Sequence, residues 1–115
     1  MNQAESVQME DGKANADQCL IMLFVSPAVE ESLVDWLLEN DRISGFSTTE
    51  SYGHGRRSSA MSLLEQVTGR QRRIQFIIET DKQQVAGLLK ALELDFVGLH
   101  YMVIPLLGGG QLALC

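Results

Sequence analysis

Cysteine is nearly absent from this chain: Cys19 lies inside an apolar run, Cys115 is the last residue, and no C-x-x-C spacing occurs. That excludes a disulfide framework and suits a reducing cytoplasm. Long apolar runs are missing too. The longest, Cys19 to Val25, is far shorter than the roughly 20 residues that a membrane-spanning helix needs. The N-terminus has neither a basic n-region nor an apolar h-region, so no signal peptide is expected. These absences together predict a soluble, cytoplasmic protein without membrane insertion. Histidine is represented only by His54 and His100, and neither a Walker-type loop nor a dinucleotide fingerprint is present. Ser58, Ser59 and Cys19 are nucleophiles by type, yet no base and orienting acid can be placed beside them. No catalytic residues are therefore assigned, and a non-enzymatic role is expected.

Positive charge is scarce but concentrated. Of nine Lys and Arg residues, five fall between Arg56 and Arg73, where Glu65 is the only acid, while the whole chain carries −6. The acidic isoelectric point near 4.7 argues against a general nucleic-acid coat. A local cluster is different, because arginine presents a planar fork of donors suited to phosphate and carboxylate. The first candidates for ligand binding are therefore Arg56, Arg57, Arg70, Arg72 and Arg73, with Gly53, His54 and Gly55 leading into the same stretch.

At 115 residues the chain makes one domain with a modest core. Residues 1–18 are polar without periodicity and are expected to form a disordered tail; the domain would occupy 19–115. Cys19–Val25 reads as a strand apolar on both faces. Ser26-Pro27 has the composition of a helix start, and Val29, Leu33, Trp36 and Leu37 recur at helical spacing up to a stop at Asn40-Asp41. Gly45–Tyr52 reads as a polar edge strand. A long connection over 53–69 follows, with capping-box spacing at Ser62–Glu65 and a short helix closed by Gly69. Arg72–Thr80 alternates as a third strand. Asp81 and Gln84 again have capping-box spacing, and Val85, Leu88, Leu89 and Leu92 form the stripe of a second helix. Leu99–Ile104 is the fourth strand.

The order βαββαβ predicts an α+β, ferredoxin-like sandwich: a four-stranded antiparallel sheet with two helices on one face. Right-handed crossovers place strands one and three in the centre. Two helices cover one face only, yet the first strand offers apolar residues to both and the third adds Ile77 to the uncovered side. A second subunit is expected to cover that face, the alternative being that the N-terminal tail or the Leu112–Cys115 segment folds back over it.

This order, the long connection and the two-sided sheet resemble the PII-like superfamily of nitrogen regulatory proteins. The likeness is carried by Gly53-His54-Gly55, Ser62–Val67, Gly69–Arg73 and His100-Tyr101, extends from about Cys19 to Gly110, and is strongest toward a short, uncharacterised bacterial PII-like subfamily. The resemblance implies a homotrimer whose sheets pack inward and a connection between strands two and three that contacts a target protein. It also implies ligand clefts between subunits. In the signalling members a glycine-rich, lysine-containing loop after the second helix helps to hold nucleotide. Here that region is Glu93–Leu99, with one glycine, no lysine and two acids. The backbone cradle for phosphates is missing. ATP binding therefore does not carry over, and no cofactor is assigned.

The expected function is that of a PII-like regulator, a trimer that binds a small anion or a partner protein through residues 53–69. His100, brought near His54 in one cleft at the sheet end, would complete the ligand site. Two alternatives stand beside it. Members of the resembling subfamily tend to occur near heavy-metal efflux genes, which suggests a metal-responsive accessory protein using His54 and His100, although a soft-metal site wants at least three ligands. The other is a structural oligomerisation module.

Overall fold

The computed structural model describes residues 17–54 and 70–113. Most of the expected tail, residues 55–69 with Gly55, Arg56, Arg57 and the Ser62–Gly69 helix, and Cys115 lie outside the described residues. Arg70 is described by its place on a strand alone.

Four strands form one antiparallel sheet in the order β2-β3-β1-β4: β1 (Gln18–Val25), β2 (Ile43–His54), β3 (Arg70–Asp81) and β4 (His100–Pro105). Two helices complete the βαββαβ order, α1 (Glu30–Leu38) and α2 (Lys82–Asp95). The arrangement is the ferredoxin-like sandwich, with β1 and β3 central. Burial along β1 alternates strictly, Cys19, Ile21, Leu23 and Val25 being buried and the residues between them half-buried. On β3 the buried set is Ile74, Phe76, Ile78 and Thr80. These two rows join Leu33 and Leu37 of α1 and Leu88 and Leu92 of α2 in one core cluster, so both helices cover the same face. Of the stripes read from helical spacing, Leu33, Leu37, Leu88 and Leu92 become buried, while Val29, Trp36, Val85 and Leu89 are half-buried against the core.

Element ends differ from expectation. β1 starts at Gln18, one residue before the expected domain boundary. Ser26 does not cap with its hydroxyl; Pro27–Val29 forms a 3₁₀ turn in which the Ser26 carbonyl accepts from the Val29 N–H at 3.0 Å, and α1 follows. Glu30 and Glu31 occupy its first turn, where the helix dipole favours carboxylates. α1 stops at Leu38 rather than at Asn40, whose N–H turns back to Leu37 O. Asp81 takes the N-cap backbone conformation of α2 without a side-chain cap, so the expected capping box is not formed. The largest revision is at β2 and β3. Gly53 and His54 belong to β2, opposite Gln71 and Arg70, so the connection read as 53–69 shortens to 55–69.

Burial pushes the Cys19 thiol above its ordinary value; nearby Lys82 opposes this and Asp81 adds to it. Cys19 is a buried core residue, as its place in the apolar run implies.

Arg42 ties the α1–β2 turn to the rest of the domain. Its N–H donates to Asn40 Oδ1 at 2.9 Å, its carbonyl accepts from buried Thr80 Oγ1 at 2.6 Å, and its Nη1 donates to Gly87 O at 3.1 Å. A bulge between Ile43 and Gly45 follows directly. Gly87 lies inside α2, and a Cβ there would meet the Arg42 guanidinium at 3.5 Å, an ordinary contact. Gly87→Ala should therefore stabilise the protein by about 0.5–1 kcal/mol through helix propensity. Urea unfolding checks this, and a lower midpoint would mean that Arg42 cannot accommodate the methyl.

Candidate functional site

β1 is eight residues long and β3 twelve, and the ladder between them ends at Val25 opposite Ile74. Beyond that point β2 and β3 pair only with each other among the described residues, Ser51–His54 against Arg70–Arg73. Four residues at about 3.3 Å each make a two-stranded arm that reaches roughly 13 Å past the sheet. Among the described residues no helix or third strand supports it.

Strand alternation divides the arginines. Arg72, across from Tyr52, continues the row of Ile74 and Phe76 and so lies on the helix side. Its Nε donates to Glu50 Oε2 at 2.8 Å in an ion pair that is half exposed on both partners. Such a pair contributes little to stability, but it occupies the fork. Arg73, across from Ser51, continues the row of Gln75 and Ile77 on the opposite, open side. Its side chain passes over Gly53, where a Cβ would stand 3.8 Å from Arg73 Cγ, and its Nε donates to Gln71 Oε1 at 3.0 Å. Nη2 donates to the same oxygen. Gly53, Gln71 and Arg73 thus form one fixed group on one side of the arm. The sequence gathers the arginines into one set of candidates; the strands put Arg72 and Arg73 on opposite faces.

The histidines are separated as well. His54 ends β2 on the arm, opposite Arg70. His100 begins β4, opposite Phe24, and its ring packs at 5.7 Å and 44° against the Phe24 ring. With three strand spacings across and five residues along, the two lie roughly 20 Å apart. They do not share a cleft within one subunit, and no group of three or more metal-ligating side chains exists among the described residues.

The open face of the sheet supplies the other half of the site. Leu20, Met22 and Phe24 of β1 share it with Ile77 of β3 and with Met102 and Ile104 of β4. The β1 residues and Ile77 are half-buried, while Met102 and Ile104 are 45% and 40% exposed. None of the six is charged, and no described element lies over them. Toward β2 the same face turns polar through Ser47 and Thr49, opposite Ile77 and Gln75. Following the row of Ile77 and Gln75 along β3 leads straight to Arg73 and Gln71. An apolar floor and a fixed arginine therefore lie on the same side of the molecule. The sequence signalled the floor through its seven-residue apolar run; the arm escaped notice because nothing apolar marks it.

None of the helices among the described residues is long and apolar enough to cross a membrane. No curated protein matches the chain. The solved structure of a DUF3240 family protein from Shewanella baltica OS155 is similar over 84% of this chain and 98% of its own, at 26% identity and a TM-score of 0.68. The model of the family described as "Protein of unknown function (DUF3240)" matches residues 15–113. Neither description names a ligand or a reaction. The match takes in both helices, all four strands and the arm, and the chain belongs to the DUF3240 family.

Proposed function

We propose that this protein is a PII-like, non-enzymatic regulator: a homotrimer assembled through the open sheet faces, which takes up a small anion at the β2–β3 arm and offers residues 55–69 to a partner protein. One observation carries the proposal, the continuity in register between the apolar open face and the Arg73 side of the arm. Burial of the face in a symmetric assembly brings the three Arg73 groups to its rim, each already oriented by Gln71 and backed by Gly53. A cyclic trimer closes on itself and leaves no apolar face free. The sheet-inward packing of PII proteins supports the same geometry. Arg56 and Arg57 follow His54 closely in the sequence, and Arg70 is the strand partner of His54, so this stretch of chain is rich in positive charge. Anion binding there would alter how 55–69 is presented and so which partner it fits, a local electrostatic event with a distant readout.

The probe is pyrophosphate, followed by isothermal titration at low salt. Arg73→Ala should weaken binding by about tenfold or more, in keeping with the loss of a charge-assisted contact. Arg72→Ala should have the smaller effect, because Arg72 faces the helix side and pairs with Glu50. Full pyrophosphate affinity in the double variant Arg72→Ala/Arg73→Ala would remove the arm from the proposal. The metal-responsive alternative lacks geometric support within one subunit, since His54 and His100 stand far apart.

A further inference from the structure

A second concave site lies away from the arm, on the helix-covered side near β4. It is a cleft of about 530 Å³ between α2, the turn 96–99 and β4, with Leu23 beneath and Tyr101 on the far wall. That volume falls within the range of small-molecule sites. Its floor is apolar: Leu23, Leu92, Phe96 and Leu99. Lys90 and Glu93, three residues apart on α2, also line it. Side chains at that spacing rise from neighbouring points of one helix face. Neither makes a hydrogen bond or ion pair with a described residue.

The walls are held in place before anything binds. Trp36 Nε1 donates to Asp95 Oδ2 at 2.7 Å, and the Trp36 ring meets Phe96 edge-on with centroids 6.1 Å apart. The Phe96 N–H returns to Leu92 O at 2.8 Å. Gly98 takes a φ of 73°, which glycine adopts without strain, and this lets the turn lead back into β4. α1 thereby fixes the end of α2 and the Phe96 wall.

The charge pattern selects the ligand class. A simple carboxylic acid would meet Lys90 but suffer repulsion from Glu93, and an amine would have the reverse difficulty. A purely apolar molecule would desolvate both charges without compensation. We propose that this cleft binds a free α-amino acid with an apolar side chain, its carboxylate at Lys90, its ammonium at Glu93 and its side chain over Leu92, Phe96 and Leu99. The site is independent of the arm, so a failure of pyrophosphate binding leaves it intact, and the reverse holds too.

The test is isothermal titration of the full chain with L-phenylalanine and L-leucine, beside phenylacetate and phenethylamine, each of which lacks one of the two charges. Saturable binding of at least one amino acid is expected with a dissociation constant below about 1 mM. The single-charge compounds should bind about tenfold more weakly or worse, and Lys90→Ala and Glu93→Ala should each cost a similar factor. Ala86 is an exposed cleft residue on α2, so Ala86→Phe fills the cleft from outside the core and should abolish binding with little change in melting temperature. The proposal is overturned if neither amino acid binds, if phenylacetate binds as tightly as L-phenylalanine, or if Ala86→Phe binds like the unaltered protein.

Discussion

Replacing Met22 by Glu is expected to turn the proposed trimer into folded monomers. Met22 is the midpoint of the open face, flanked by Ile77 on β3 and Met102 on β4. It is half-buried within the single chain, so in a monomer a glutamate there can turn its carboxylate to water. In the proposed trimer that route is closed. Three carboxylates would be desolvated near the symmetry axis and would repel one another, at a cost of several kcal/mol per charge that no partner offsets. Assembly should weaken by about a hundredfold or more. Sedimentation velocity at micromolar concentration reads the outcome. Far-ultraviolet circular dichroism should show secondary structure retained, and Met22→Leu should remain assembled. A Met22→Glu protein with unchanged sedimentation would remove the open face from the interface.

A substitution one face away should act on folding itself. Phe76 is fully buried at the middle of β3, and its ring stacks on Phe46 with centroids 6.1 Å apart at 24°. It joins the row from β1 to the leucines of both helices. Truncation to alanine removes a large side chain from a site that cannot collapse, because β1 and β2 hold β3 on both sides through continuous ladders. The expected loss is about 3–5 kcal/mol, a large share of the 5–15 kcal/mol that typically holds a domain together. In a thermal melt this corresponds to a fall of roughly 20 °C for a domain of this size, or to a chain unfolded at 37 °C. The neighbouring change Ile77→Ala makes the comparison sharp. Ile77 points to the open face, so its truncation should barely move the stability of a monomer and should act through assembly instead. Equal melting temperatures for Phe76→Ala and the unaltered protein would mean that the two faces of β3 have been assigned the wrong way round.

The contrast between those neighbours was already legible in the sequence, and the reason is physical. A strand alternates its side chains, so seven consecutive apolar residues in β1 require two apolar faces, and two helices supply cover for one. Leu33 and Leu37, like Leu88 and Leu92, recur at helical spacing and become buried for that reason. Strand order followed from the handedness of the crossovers. What stayed hidden lies where no core exists. Gly53, His54, Arg70 and Gln71 carry no apolar period, and the ladder that makes them strand is built from backbone groups common to every residue. Their reading as loop hid the arm on which Arg72 and Arg73, at the start of the third strand, take opposite faces. The helix starts were legible in position but not in bonding: Ser26 and Asp81 stand at the N-caps with side chains able to cap, yet neither makes a side-chain cap bond. Contacts between distant residues were out of reach as well. Nothing at Arg42 announces Gly87, and nothing at Trp36 announces Asp95, since such pairs exist only after the sheet has brought the helices side by side.

Native mass spectrometry of the full chain, sprayed from a volatile buffer at micromolar concentration, tests the central claim most directly. The apolar open face and the arm that continues it predict one dominant species at three chain masses, with pyrophosphate adding in up to three copies. A spectrum of single chains, unchanged by pyrophosphate, would contradict both the interface and the regulator built upon it.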